Sequence, residues 1–217
     1  MTEKSPSPCK KDPYKKIVRY YDTVVGPFNR TLRKIVLKTH PPEKGMRVFE
    51  PGCGTGANLA LYQRAGCEAF GMDLSPAMAE AAGKKLGDQA DIRIGDASRT
   101  PHPDGFFDIS LAMLTLHEMP ASVRLPVIRE MARTLKPAGR ALLVDFHPGP
   151  IEFPGGWIYK TVISFFETTA GREHFRNYRD FMARGALPPL IRKAGLRVEK
   201  ERILGGGNLA VFCVKPA

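Results

Sequence analysis

The chain reads as an α/β protein: a doubly wound, mostly parallel seven-stranded sheet with an antiparallel last strand, N-terminal helices and a helical insertion before the last helix. Three observations predict this. The acidic residues Glu50, Asp73 and Asp96 each end a short apolar run, 23 residues from the first to the second and 23 again to the third. Segments with apolar residues at helical spacing lie between them, as in repeated strand–helix units. Two final apolar runs, 196–203 and 208–214, flank Gly205, Gly206 and Gly207, which reads as an antiparallel hairpin.

Residues 1–13 are expected to be a flexible basic tail, with neither the apolar core of a signal peptide nor a membrane span. Residues 14–217 then form one domain, in which 14–40 supply helices that cover the cleft. Tyr14, Ile17, Val18, Tyr21, Val24 and Val25 form one apolar helical face, with Lys15, Lys16 and Arg19 opposite. Residues 1–47 hold 12 Lys or Arg against 4 Asp or Glu, a net +8 of the chain's formal +11. Such a face suits a cover helix with a solvated outer side; a weak contact with an anionic membrane through 14–38 is the alternative.

The run Val48-Phe49-Glu50 breaks into Gly52-Cys53-Gly54-Thr55-Gly56, with a helix expected from Ala57 onward. Glycine lets a chain turn sharply and approach a ligand closely, and a helix start directs free N–H groups at it. The loop lacks the Lys of a phosphate-binding P-loop and the Gly-x-Gly-x-x-Gly of a dinucleotide site. The acid at Glu50 favours a ligand carrying positive charge. Asp73 closes the second strand, where an acid can accept both hydroxyls of a ribose. Ser75 and Pro76 then suit an N-cap and a first helical residue, and Met78, Ala81, Ala82 and Leu86 supply a buried face.

Phe107 to Ala112 reads as a fourth strand, Ser122 to Leu135 as a helix, Arg140 to Phe146 as a buried strand and Leu190 to Ala194 as the last helix. Residues 147–186 are an insertion, crowded with Ile151, Phe153, Trp157, Ile158, Val162, Phe165 and Phe166. It is either a lid over the site or an added layer that buries these aromatics. With 217 residues and 43% hydrophobic content the chain can fill one core. Cys9, Cys53, Cys67 and Cys213 form no CxxC pair, so neither a metal site nor a disulfide framework is indicated, and a reduced, cytoplasmic setting fits. Cys53 reads as a small residue in the glycine loop.

These residues resemble the class I S-adenosylmethionine-dependent methyltransferases over about residues 46–146, and Leu135-Lys136-Pro137-Ala138-Gly139 matches the turn before that family's fifth strand. The resemblance implies S-adenosyl-L-methionine as cofactor. Glu50, Gly52, Gly54 and Gly56 then line its methionine part, Asp73 its ribose, Leu74 its adenine face, and Asp96 with Ala97 the adenine edge. Met113 and Leu114 approach the amino group and sulfonium through their backbone. Tyr20-Tyr21-Asp22 and Gly26-Pro27-Phe28 resemble the N-terminal segment of quinone-biosynthesis and phospholipid N-methyltransferases, where a Tyr closes over the cofactor, which makes Tyr21 a candidate.

The turn Leu114-Thr115-Leu116-His117-Glu118 lacks the Asn/Asp-Pro-Pro-Tyr of enzymes that methylate base or amide nitrogens, and no Pro-Cys nucleophile stands there. Nucleic acid is therefore disfavoured and a small-molecule acceptor, apolar or lipid-like, is expected. His117 is the candidate general base, its ordinary pKa suiting proton transfer near neutrality, with a structural histidine as the plain alternative. His147 and His174 are secondary candidates. A membrane-peripheral phospholipid N-methyltransferase, a nicotinamide-dependent oxidoreductase and a non-catalytic membrane- or nucleic-acid-binding module remain as other readings.

Overall fold

In a computed structural model that describes residues 12–24 and 26–216, seven strands form one sheet in the order β3-β2-β1-β4-β5-β7-β6. They are β1 (Arg47–Pro51), β2 (Glu68–Asp73), β3 (Ala90–Ile94), β4 (Phe107–Met113), β5 (Leu135–Phe146), β6 (Leu196–Leu204) and β7 (Leu209–Pro216). Strands β1 to β5 pair in parallel, and β7 lies antiparallel between β5 and β6. The helices are α1 (Val18–Val24), α2 (Gly26–Thr39), α3 (Leu59–Arg64), α4 (Pro76–Leu86), α5 (Ala121–Thr134), α6 (Gly155–Thr169), α7 (Arg172–Ala183) and α8 (Leu187–Lys193).

Alternation along the strands divides the core between two faces, because successive side chains of a strand point opposite ways. Val48, Leu142, Val144 and Val211 pack with Leu32 and Val36 of α2, Leu59 and Tyr62 of α3, and Ala82 and Leu86 of α4. Their neighbours Phe49, Leu143 and Phe212 pack with Ile128 and Met131 of α5, Phe181 of α7, and Leu187 and Ile191 of α8. The central strands are buried on both faces, which is why they read as continuous apolar runs. The order of strands reverses between β1 and β4, and an open parallel sheet leaves a crevice outside its carboxyl ends there.

Several boundaries differ from the sequence expectation. The helix after the glycine loop starts at Leu59, not Ala57. Residues 13–17 form turns and α1 begins only at Val18, so Ile17 is half exposed instead of joining the apolar stripe. Tyr14, Val18 and Tyr21 keep that stripe, partly buried. The expected roles of residues 1–11 and Val25, and of the Val24 side chain, lie outside the described residues. Leu135 pairs with Phe107 and Arg140 with Ile109, so the residues between loop out opposite Asp108, whose carboxylate accepts from Lys136 Nζ at 2.7 and 2.8 Å.

The insertion holds α6 and α7. Gly156 of α6 lies so close to Gly206 that a Cβ would collide with its carbonyl oxygen, and Asn208 Nδ2 donates to Gly156 O at 2.7 Å. The C-terminal end of α6 is tied by Glu167 to His174. The large apolar side chains here do not form a buried layer: Phe153 is 86% exposed, Ile158 and Phe165 65%, and Trp157 53%. Helix α7 is fastened instead by Arg124 of α5, which donates to Asp180 Oδ2 at 2.8 Å, Asn177 O at 2.6 Å and Met119 O at 2.9 Å, with its guanidinium over the Phe181 ring.

Arg124 is 2% exposed, so its removal leaves buried carbonyls unpaired and frees α7. Arg124→Met is expected to lower stability by about 2–4 kcal/mol in urea unfolding. A loss below about 0.5 kcal/mol, the range of ordinary surface changes, would show that α7 is held by its other contacts and not by Arg124.

Candidate functional site

The carboxyl ends of β1, β2 and β4 meet at the point of strand reversal. There Gly52, Gly54 and Gly56 take φ of +65°, +52° and +72°, a region that side chains with a Cβ disfavour. A Cβ on Gly52 would collide with Thr115, and one on Gly56 would sit 2.9 Å from Leu86 Cδ1, but at Gly54 nothing lies within 4 Å. Gly54 is therefore where the loop backbone borders open space. Cys53 is buried, and burial pushes its thiol well above its ordinary range, which leaves it the packing role expected of it.

Glu50 is 1% exposed. Its Oε1 accepts from Asn58 Nδ2 at 2.5 Å, and Arg33 Nε of α2 donates to Asn58 Oδ1 at 2.9 Å, which fixes the amide's orientation. Its Oε2 has no hydrogen-bond partner among the described residues. Burial pushes the Glu50 carboxyl up to about 8, against the hydrogen bond from Asn58 and the charge of Arg33. A buried acid with one unused oxygen beside an open glycine fits a cationic ligand atom, such as the ammonium or sulfonium of S-adenosylmethionine.

Asp73 ties two loops together. Its Oδ2 accepts the Gly54 N–H at 2.8 Å and its Oδ1 the Ser75 N–H at 2.9 Å. Burial raises its pKa in spite of these bonds. Each oxygen keeps a lone pair for a ligand hydroxyl. Leu74, next in the chain, is 50% exposed, whereas Ala97 is buried, and Asp96 Oδ1 accepts the Ser98 N–H at 2.8 Å. At the end of β4, Met113 is buried and Leu114 takes φ +53°, which is strained for a leucine. The Leu114 N–H donates to Val144 O at 2.8 Å, so a ligand can meet Leu114's backbone only at its carbonyl.

The N-terminal segment crosses this crevice. Asp12 accepts from Ser75 Oγ at 2.8 Å and from the Ala77 N–H at 3.0 Å, at the start of α4. Thr55 of the glycine loop donates to Asp22 at 2.6 Å, and Lys85 pairs with the same carboxylate. Tyr21, the expected cover residue, packs edge-on against Tyr14, and it is Tyr14 that reaches across, donating its hydroxyl to Glu118 Oε2 at 2.7 Å. Sequence reasoning missed both Tyr14 and Asp12.

Beyond Leu114 lies His117, 2% exposed, in the turn before α5. Its Nδ1 stands 2.7 Å from Asp145 Oδ1, and its N–H donates to Asp145 Oδ2 at 3.1 Å. Phe146, Tyr178 and Phe181 surround the ring. Burial works against the charged imidazole, but Asp145, Glu118 and Glu167 outweigh it and push the pKa up to about 9. The ordinary value expected from the sequence does not hold: these carboxylates favour a positive charge at His117. His174 of α7 faces His117 at 5.5 Å between ring centres, while His147 bonds within its own loop and to Gly207.

A methyltransferase-domain profile matches residues 49–143. Over 220 residues the chain is 27% identical to a ubiquinone/menaquinone biosynthesis C-methyltransferase of Methylobacterium nodulans, covering 91% of this chain and 86% of that one. It is 33% identical over 110 residues to a probable chloroplastic tocopherol O-methyltransferase of Oryza sativa subsp. japonica, a match spanning 48% of this chain and only 30% of the rice protein. Among solved structures, a methyltransferase of Aquifex aeolicus described as SAM-dependent superposes with TM-score 0.64 at 19% identity over 94% of this chain and 99% of that chain. A chain from the complex of the Haloferax volcanii Trm112 methyltransferase activator with a putative methyltransferase gives 0.67 at 20% identity, covering all of both chains. The profile spans the glycine loop and all three acids, so residues 49–143 are similar to the methyltransferase domain it describes.

Because the folded state raises the Glu50 pKa from 4.5 to about 8, it binds a proton there that the unfolded chain has released. The Glu50 contribution to the stability of the ligand-free protein is therefore expected to be lost as pH rises from about 4.5 to about 8. Glu50→Gln should flatten that slope in urea midpoints measured across the window. Equal slopes for both proteins would mean that Glu50 is ionised in the ligand-free fold.

Proposed function

We propose that this methyltransferase transfers the methyl group of S-adenosyl-L-methionine to a small apolar or lipid-like acceptor by in-line displacement. The observation that carries the reading is the juxtaposition of two unlike surfaces. The crevice between Glu50 and Asp73 is lined for a charged, hydroxyl-bearing cofactor, while the side beyond His117 is built on an aromatic interior of Phe146, Tyr178 and Phe181. Relatives named for tocopherol and for ubiquinone/menaquinone biosynthesis support an acceptor of this kind.

In this reading Glu50 and Gly52, Gly54 and Gly56 hold the methionine part of the cofactor. Asp73 holds the ribose, Leu74 lies against the adenine, and Asp96 with Ala97 meets its edge. Met113 and Leu114 border the sulfonium, and Tyr21, backed by Tyr14, covers the crevice. The cofactor supplies an electrophilic methyl group; the chain's part is to align the acceptor behind it and to exclude water. His117, oriented by Asp145, stands on the acceptor side. Asp145 holds its ring in one orientation there, and the raised pKa disfavours the general-base role expected from the sequence.

The acceptor's route follows from surface chemistry. Trp157, Ile158, Val162 and Phe165 stand exposed along α6, and Lys15, Lys16 and Arg19 are exposed beside the N-terminal crossing. Exposed apolar side chains and exposed basic groups suit reversible contact with an anionic membrane that holds the acceptor.

Asp73→Ala is expected to weaken binding of S-adenosylhomocysteine by about 1–3 kcal/mol, roughly 5- to 150-fold, because the ribose hydroxyls lose their acceptor. Calorimetry that gave wild-type affinity for the folded variant would remove the ribose assignment. The wild-type protein is expected to sediment with anionic liposomes at low salt and to be released as salt shortens the Debye length. Trp157→Ser/Phe165→Ser and Lys15→Glu/Lys16→Glu/Arg19→Glu should each reduce pelleting. Wild-type protein that stays in the supernatant at low salt would return α6 to a lid over the acceptor.

A further inference from the structure

A cluster of ionisable groups on the acceptor side is built in a way that the methyl-transfer reading does not require. His117 Nε2 lies 3.9 Å from Glu118 Oε1 and 3.8 Å from Glu167 Oε2, beyond hydrogen-bond distance of either. His174 Nδ1 lies 4.0 Å from the same Glu118 Oε1. One donor atom each from His117, Glu118 and His174 falls within 4.8 Å of the other two. The opposite nitrogen of each ring is engaged by a carboxylate: His117 Nδ1 by Asp145 at 2.7 Å, and His174 Nε2 by Glu167 at 2.8 Å.

That pattern is how proteins prepare histidines for a metal. A carboxylate on the far nitrogen fixes the tautomer and the ring plane and makes the near nitrogen a better ligand. With bonds of about 2.0–2.2 Å, three ligands round a tetrahedral ion stand about 3.3–3.5 Å apart, so Glu118 Oε1 needs to close on each ring by about half an ångström, and the two rings, within 4.8 Å of each other, by up to about 1.5 Å. The three carboxylates Asp145, Glu118 and Glu167 also exceed the two imidazoles in number, a local excess of negative charge that a cation would balance. Tyr14 holds the other Glu118 oxygen at 2.7 Å, leaving Oε1 as the free one.

We propose that His117, Glu118 and His174 bind one divalent transition-metal ion of the zinc or iron class, with Asp145 and Glu167 as the positioning carboxylates. Two imidazoles and one carboxylate leave at least one coordination position open. That position lies on the acceptor side of Leu114, so an oxygen of the acceptor is the group suited to fill it. This role rests on the acceptor pocket proposed above, whereas binding of the ion does not. The ligands escape a reading by spacing because they come from two distant segments, the turn after β4 and helix α7, which only the fold brings together.

The test uses untagged, full-length protein stripped with a chelator and then dialysed against Zn2+ alone. Elemental analysis is expected to find one zinc per chain, and replacement by Co2+ to give the visible d–d bands of a low-symmetry site with nitrogen ligands. His174→Gln, on the partly exposed face of α7, should lower zinc affinity at least about 10-fold, and Glu167→Gln about 10- to 100-fold through the lost orientation of His174. Unfolding curves show that each variant is folded. Substoichiometric zinc in the wild type, or wild-type affinity in His174→Gln, overturns the proposal. S-adenosylhomocysteine binding measured on the same samples separates the two readings. Cofactor bound without zinc refutes the metal site alone, and zinc bound without cofactor refutes the cofactor assignment alone.

Discussion

The crevice depends on one carboxylate. Asp73 ends β2, yet its two oxygens accept backbone N–H groups from two loops, Gly54 after β1 and Ser75 at the start of α4. Without that clamp Gly54 would lose its partner, while Gly52 would still donate to Met72 O and Gly56 to Cys53 O, and glycine gives up much chain entropy on ordering. The clamp extends outward: Ser75 caps α4 by accepting from Met78 N–H and passes its own hydroxyl to Asp12, which seats the N-terminal segment. Cofactor loop, helix start and cover are thus one hydrogen-bonded unit. A change at Asp73 moves all three.

The site also concentrates negative charge in an interior that penalises it. Burial raises the pKa of Glu50 and Asp73, and Glu118 and Asp12 raise Asp73 further. Buried carboxylates of this kind are unfavourable to the ligand-free fold and become favourable when a cation or hydroxyl donor arrives, so the fold gives up stability for binding. The same argument applies on the acceptor side, where Asp145, Glu118 and Glu167 face two imidazoles. Both halves of the crevice therefore await positive charge, which sets them apart from phosphate-binding loops that present N–H groups and lysines.

Most of the scaffold was legible in the sequence because a parallel sheet writes itself as repeated apolar runs. The even 23-residue spacing located the ends of β1, β2 and β3, and the triple glycine located the β6–β7 hairpin. What escaped had physical causes. The loop after β1 needs two more residues to reach α3 than a helix-forming Ala57-Asn58 suggested, because Gly56 must first pack on Ala82 and Leu86. Ile17 fits the helical stripe in spacing, but residues 13–17 turn to let Asp12 reach α4. Asp145 carried a signal that could have been used: an acid inside the run Ala141 to Phe146 must be buried and must have a partner. That partner, His117, is 28 residues earlier, and no local pattern joins them.

The aromatic insertion shows why composition alone misleads. A segment holding Phe153, Trp157, Ile158 and Phe165 suggests a buried layer, since exposing so much apolar area is unfavourable in water. Its anchors decide otherwise. Gly156 locked against Gly206 and Glu167 bonded to His174 fix both ends of α6, and the helix between them turns its apolar side outward. The insertion is thereby tied at one end to the closing hairpin and at the other to the histidine pair beside the crevice. Glu167, buried near the end of α6, is the residue through which the exposed insertion meets His174.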